Sequence, residues 1–256
     1  MSSSKETFVL EGHVSVRAAL VSGSRNIHEI ILQRGKRSRA TDALQKRARE
    51  KRVRMRHLER AEIDAIAEGQ THGGVVARVG KRKFEALADL GDGPSAGFVA
   101  MLAGVEDPYN FGQAIRSLHA AGAHGLVVPP RNWTSAASTV ARASAGASEF
   151  LPMALAEDEL AAVKHFRARN FNIVCTGLDA TPLFEAELSK PIFLLIGGEK
   201  RGLSAAVLAQ ADTVLTIPYG RKFKQALDTT SATAVLAFEV MRQRGYAKKE
   251  GRRKKK

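Results

Sequence analysis

The feature that most restricts the fold of this chain is a series of uninterrupted apolar runs in its second half. "GFVAMLAGV", "GLVVPP", "FNIVCTGL", "PIFLLIGG" and "TVLTIPY" alternate with helix-like stretches such as "NFGQAIRSLHAAGA" and "TSATAVLAFEVMRQRG". A strand with one wet face alternates apolar and polar residues. A continuous apolar strand needs cover on both faces, which predicts a parallel sheet sandwiched between helices. In such sheets ligands bind beyond the C-terminal ends of the strands, so the residues that follow each run are the place to look for chemistry.

Three strand ends stand out. The first, "GVEDPYNFGQAIRSLHAAG", turns at Asp107-Pro108, offers Asn110 as a helix cap, and carries Arg116 inside an otherwise small and apolar helix. The second, "FLLIGGEKRGL", runs a buried strand into Gly197, Gly198 and Glu199. Its two glycines let backbone approach a ligand closely, although a plain turn explains them equally well. The third leaves Ile217 and Pro218 for a long basic loop holding Arg221, Lys222 and Lys224, and resumes as a helix starting at Thr229, Thr230 or Ser231. That loop is long for a connection in an α/β fold, which favours a binding role. No G-x-x-x-x-G-K-[ST] and no G-x-G-x-x-G follows any strand, so a P-loop nucleotide site and a dinucleotide-dependent oxidoreductase have no support.

Residues 1–79 form a smaller alternating unit. Gly12 precedes a helix pattern, "IHEIILQ" and "VRMRHL" suit strands, "ATDALQKRAREKR" suits a helix capped by Thr41 or Asp42, "ERAEIDAIAEG" suits a helix closed by Gly69, and "GGVVARV" suits a final strand. Residues 80–96 have the composition of a linker with at most a helical turn or two in "FEALADL". A domain over 97–247 follows, and 248–256 is a like-charged tail expected to be disordered.

The net charge of +14 is segregated along the chain. Residues 1–84 hold 19 Lys/Arg against 9 Asp/Glu, and residues 242–256 hold 9 against 1, while the middle holds 12 against 16. Basic ends around a mildly acidic body suit a polyanion-binding protein, solubility being the plainer alternative. The single cysteine, Cys175, excludes an intramolecular disulfide and a Cys-rich metal site, and it suits a reducing, cytoplasmic setting as a buried small hydrophobe. No metal site is expected. Neither a signal peptide nor an apolar run long enough to span a membrane is expected.

Taken together, "DPYNFGQAIRSLHAAGAHGLVV", "LLIGGEKRGLS" and "LTIPYGRKFKQALDTTSATAVLAFEV" resemble the three motifs of the SpoU/TrmH family of RNA 2′-O-ribose methyltransferases, in the SPOUT superfamily. "ARASAGASEFLPM" is similar to the family's intermediate stretch. Gly12, "IILQ" and "THGGVVARV" resemble its N-terminal substrate-binding domain. The resemblance implies a trefoil-knotted parallel sheet with S-adenosylmethionine held mostly by backbone. Gly197, Ile217 and Leu227 would contact the adenosyl group, with Gly198 and Glu199 beside them and Thr176 and Gly177 lining the same pocket. Side chains at Gly197 or Gly198 would block the adenine. Arg116 would orient the target phosphate and ribose hydroxyl, Asn110 would shape the site, and Arg221, Lys222 and Lys224 would meet RNA phosphates. A homodimer and an RNA substrate, ribosomal in preference to transfer RNA, are implied as well.

One departure stands out. The family's Ser-Leu-Asn-Val-Ser is Ala226, Leu227, Asp228, Thr229 and Thr230 here. Ala226 loses the hydroxyl of the first position and Asp228 replaces the amide of the third, which repositions the substrate, makes Asp228 an acceptor near the ribose, or marks a non-catalytic RNA-binding protein.

Overall fold

The structure is a computed structural model, and it describes residues 6–69, 71–93, 96–130 and 136–245. The basic tail at 248–256 lies outside the described residues.

The N-terminal unit runs β1 (Phe8–Glu11), α1 (His13–Ser22), β2 (Arg25–Gln33), α2 (Arg39–Glu50), β3 (Met55–Leu58), α3 (Arg60–Asp64) and β4 (Val75–Arg82). Its sheet has the order β1-β4-β2-β3, with β4 antiparallel to both neighbours and β3 parallel to β2. Leu10, Ile30, Leu32, Val75, Ala77 and Val79 face α1 and α2 in one core. Four expectations shift. Strand β1 was not foreseen: four residues whose partner lies some 70 positions away leave little periodicity to detect. Helix α2 is capped not by Thr41 or Asp42 but by Ser38, whose hydroxyl accepts from Thr41 N at 3.1 Å while Thr41 Oγ1 accepts from Ser38 N at 2.8 Å. Helix α3 stops at Asp64, short of Gly69, because the next turns bend so that Glu68 N and Gly69 N both donate to the buried Glu11 carboxylate. Strand β4 continues beyond residue 79 to Arg82, where it pairs with Arg25.

The second unit runs β5 (Phe98–Ala103), α4 (Pro108–Ala120), β6 (Gly125–Val128), α5 (Ala137–Ala143), α6 (Ala147–Phe150), β7 (Met153–Leu155), α7 (Glu159–Ala168), β8 (Asn172–Pro182), β9 (Ile192–Gly197), α8 (Ala205–Leu208), β10 (Thr213–Thr216) and α9 (Thr229–Gln243). Its six strands are parallel throughout, in the order β10-β8-β9-β5-β6-β7. Strand β5 shows why the runs are continuously apolar. Phe98, Ala100 and Leu102 join the core under α4 and α9, while Val99, Met101 and Ala103 join the core under α7. Both faces are covered, so no position in the strand can be polar.

The segment between the units is packed rather than free. Glu85 N donates to Met153 O at 2.8 Å, residues Leu87–Asp89 make one 3-10 turn, and Leu90 is buried against Gly125. The units also meet through buried charge: Arg142 reaches Glu11 at 3.2 Å, and Arg25 reaches Glu149 at 3.0 Å. Among the described residues no helix is long and apolar enough to cross a membrane, and no cluster of His, Cys, Asp or Glu is arranged to hold a metal ion.

Candidate active site

Strands β8, β9 and β10 lie side by side, so their C-terminal ends converge. In the β5–β9 register Ala103 stands opposite Gly197, which puts the β9 exit beside the turn that leads to α4. Between β8 and β10 the register slips, from Cys175 opposite Val214 to Thr181 opposite Leu215. The slip loops residues 176–180 out of the ladder. These three ends and the 217–228 loop enclose a cleft of about 580 Å³.

All seven positions assigned to the cofactor line this cleft: Thr176 and Gly177 from β8, Gly197, Gly198 and Glu199 from the end of β9, and Ile217 and Leu227 from the last loop. Thr176 Oγ1 accepts from Gly197 N at 3.1 Å, tying two strand ends together. The physical reason for the glycines differs from the one expected. A Cβ on Gly197 would lie 2.8 Å from Gly202 backbone atoms, and one on Gly198 would lie 2.6 Å from Gly104 O. The paired glycines let protein backbones pack against one another, and the cleft wall they build consists of main chain.

Glu199 holds the final helix in place: its Oε1 accepts from Thr229 N at 3.1 Å, in the first turn of α9. Helix α9 starts at Thr229, the first of the three expected starts, and is capped by Asp228. Asp228 Oδ1 accepts from Ser231 N at 2.8 Å and Oδ2 from Ser231 Oγ at 2.7 Å. These bonds from Ser231 hold the Asp228 carboxyl below its ordinary acidity range. The carboxylate is thus engaged on both oxygens as a helix cap. At the other end of α9, Arg244 donates to Ala96 O at 2.6 Å and lies over the Phe98 ring, and burial lowers its pKa to about 10.

Asn110 belongs to the neighbouring helix. It is not the cap of α4; Asp107 is, accepting from Asn110 N at 2.8 Å, with Pro108 in the first turn. The Asn110 carbonyl accepts from Thr230 Oγ1 at 3.4 Å, which links the start of α4 to the start of α9. Arg116 lies six residues further along α4, exposed and outside the cleft lining, with no ion pair or hydrogen bond among the described residues. Lys224 lines the cleft, whereas Arg221 and Lys222 stand exposed on the same loop outside it; none of the three is ion-paired among the described residues.

Two cleft residues escaped sequence reasoning. Tyr219 Oη accepts from Leu227 N at 2.9 Å, and its ring lies 5.9 Å from that of Phe223. The signal was there: two half-exposed aromatics in a loop otherwise made of charged and small residues. Lys200, paired with Glu106 at 3.3 Å, and Arg201 add positive charge to the rim.

Chemically, the cleft offers backbone groups, glycine surfaces and a positive rim. Among the described residues its lining contains no histidine and one carboxylate, Glu199, which is already bonded to main chain. That inventory suits binding and orienting a small molecule beside a polyanion.

Comparison with known proteins agrees. Residues 97–238 match the model of the SpoU rRNA Methylase family, and residues 9–85 match that of the RNA 2′-O ribose methyltransferase substrate-binding domain. The chain belongs to the SpoU family. Among its curated relatives are the 23S rRNA (guanosine-2′-O-)-methyltransferase RlmB of Ralstonia nicotianae, 30% identical over 95% of this chain and 98% of that one, and RlmB of Shewanella oneidensis, 29% identical over 94% and 99%. The SpoU methyltransferase AviRb from Streptomyces viridochromogenes, solved in complex with AdoMet, superposes with a TM-score of 0.76 at 23% identity, covering 93% of this chain and 90% of that one. An rRNA methyltransferase from Sinorhizobium meliloti gives 0.77 at 24% identity, covering 93% and 88%. At such identities the structural likeness speaks for the fold.

Proposed function

We propose that this protein methylates a ribose 2′-hydroxyl in ribosomal RNA, with S-adenosylmethionine as donor. The observation that carries the reading is the convergence of all seven cofactor positions on one glycine-walled cleft, in a chain that matches ribosomal RNA ribose methyltransferases over nearly its full length. The cleft volume suits a ligand of that size. When bound, the donor supplies an electrophilic sulfonium methyl group.

The protein's own residues then have to position and activate a poor nucleophile. A ribose hydroxyl holds its proton tightly, and among the described residues no histidine lines the cleft to take it. Arg116 is assigned the orientation of the target phosphate and hydroxyl. An arginine stays protonated, so its contribution is to align the hydroxyl and favour the developing alkoxide by charge. Asn110, joined to Thr230, fixes the start of α4 against α9 and so sets where Arg116 stands relative to the donor. Glu199 and Asp228 hold the start of α9, which carries Leu227 to the cleft edge. Arg221, Lys222 and Lys224, cations with no ion pair among the described residues, attract RNA phosphates. The Asp228 departure is absorbed as a helix cap, a role that Asn and Asp fill equally well, so it does not favour the non-catalytic reading.

Three further features belong to the same proposal. The segment from β10 to α9 is threaded through an earlier loop as a trefoil knot. Two copies pair through exposed apolar residues of the catalytic unit, among them Phe184 and Phe238, which are 60% and 42% exposed. The enzyme works in the cytoplasm, where its substrate is made. The test is incubation of unmodified ribosomal RNA with the protein and labelled donor, followed by mapping of 2′-O-methyl positions. A single new methylated ribose supports the reading; donor binding without methyl transfer to any RNA refutes it.

A further inference from the structure

The sheet of the N-terminal unit has two faces, and α1 and α2 cover one of them. Side chains alternate along a strand, so the other face is read by steps of two from its buried end. Val9, Ile31, Leu58 and Val76 pack there with Ile63 of α3. One step along each strand from these stand Thr7, Glu29, Arg56 and Arg78, and Arg54 comes one step beyond Arg56. The face thus turns from apolar to charged beyond the cover of α3. These five residues line a groove of about 280 Å³ together with His28, which sits at the irregularity in β2. Arg54 and Arg56 belong to β3, the edge strand farthest from β1.

One carboxylate serves three guanidiniums in this groove. Glu29 is 7% exposed, and each of its oxygens meets one arginine: Oε1 lies 3.0 Å from Arg78 Nη1, and Oε2 lies 3.8 Å from Arg56 Nη1. Arg54 is exposed and has no ion pair among the described residues. Three arginines crowded on one face repel one another, and the buried glutamate offsets part of that repulsion while anchoring two of them. The anchoring leaves most of their N–H donors over, since a guanidinium has five. The side chains of Arg56 and Arg78 are each 42% exposed, so those donors reach solvent. Surface pairs elsewhere in the unit match one cation with one carboxylate, as Arg34 does with Glu59, Arg47 with Glu50 and Lys81 with Glu6. Here three arginines against one glutamate leave a net charge of +2.

We infer that this groove is a docking surface for RNA backbone, which holds phosphates of the substrate away from the ribose that is methylated. Arginine forks pair with phosphate through two parallel hydrogen bonds. Arg54 and Arg56 stand about 6.6 Å apart along β3, a span comparable to one nucleotide step. Charge complementarity names the occupant: the groove is positive, and it lies in the part of the chain where 19 Lys/Arg face 9 Asp/Glu. Its lining offers no apolar side chain, which a lipid chain or an amphipathic acidic helix would need. The inference rests on the RNA substrate proposed above and assigns the face of the N-terminal unit that grips it.

The test measures binding of unmodified ribosomal RNA by the full chain across a range of salt concentrations. The double variant Arg54→Gln/Arg56→Gln leaves Glu29 its 3.0 Å bond from Arg78. It should lower the slope of log Kd against log salt concentration by about two units, and Arg54→Gln, which breaks no ion pair, by about one. The double variant should also raise the KM for RNA about tenfold near physiological salt, with kcat at saturating RNA and donor affinity within about twofold of the parent. The control is Lys46→Gln/Arg49→Gln, which removes the same charge from exposed positions of α2 and should leave the slope unchanged. Equal slopes for the groove variant and the control, or a groove variant and an Arg54→Gln protein that bind RNA like the parent, overturn the inference. So does a groove variant that loses binding to phosphatidylserine vesicles while keeping its RNA affinity. If the parent methylates RNA and the groove variant matches it, only this inference falls; a parent that binds no RNA takes the proposed function with it.

Discussion

The substitution Gly198→Ala probes the cleft wall most sharply. Gly198 is not among the glycines in the left-handed region, so no left-handed backbone stands against alanine there. The obstacle is space: the added methyl would stand 2.6 Å from Gly104 O, 2.8 Å from Gly104 C and 3.1 Å from Ala103 O. Comfortable separation is roughly 3.5 Å, so the β9 exit and the turn after β5 must part by close to 1 Å. Both sides of the contact are main chain, which no rotamer change relieves. Overpacking of this kind costs about 1–3 kcal/mol. For a chain of this size that lowers the melting temperature by roughly 2–12 °C. Because the displaced segment is the cleft wall, affinity for S-adenosylmethionine should fall with it, by at least about tenfold for a 1.4 kcal/mol loss. Gly220→Ala is the control, since its added methyl meets nothing within 4 Å. Calorimetric melting and titration of the two variants decide the matter. A Gly198→Ala protein that melts within 1 °C of the parent and binds donor equally well refutes the reasoning.

Four other outcomes are expected. Arg116→Ala should abolish methyl transfer and leave donor affinity within about twofold; normal turnover in that variant removes the role assigned to it. Asp228→Ala should lose about 0.5–2 kcal/mol of stability, while Asp228→Asn keeps the cap. Because the Asp228 pKa is lowered in the folded state, its contribution is complete above the ordinary carboxylate range and fades as pH falls through the folded value. Acid titration of the two variants against the parent should therefore show the difference disappearing below about pH 4. Neutralising Arg221, Lys222 and Lys224 together should flatten the dependence of log Kd for RNA on log salt concentration by up to about three units of slope; an unchanged slope would mean these cations do not touch phosphate. Burial pushes the Cys175 thiol up to about 12, so a thiol reagent at pH 8 should react only as fast as the protein opens.

The parallel sheet was legible because its strands are buried on both faces, which forces unbroken apolar runs such as Phe193 to Ile196. The cleft was legible as three odd strand endings and, through their order, as a family pattern. What escaped was geometry that depends on distant partners. Strand β1 exists through its pairing with β4. The cap of α2 lies upstream of the first helical residue. The glycines at 197 and 198 have an obvious use next to a ligand, and only the approach of Gly104 and Gly202 shows that they serve protein packing. Asp228 looked like an altered active-site residue until Ser231 was seen to occupy both its oxygens. Tyr219 was passed over because a tyrosine in a basic loop has no fixed partner in sequence, whereas in the fold it meets the Leu227 amide.

The central claim is that main chain at the ends of β8, β9 and β10 cradles S-adenosylmethionine. The most direct measurement is a titration of nitrogen-15-labelled protein with the donor, followed through backbone amide signals. The account predicts that Gly197, Ile217 and Leu227 shift together and saturate at one equivalent, with Leu227 giving up its bond to Tyr219, while β1 to β4 stay unperturbed. Saturating donor that leaves those three amides unmoved, or that moves the N-terminal unit in their place, contradicts it.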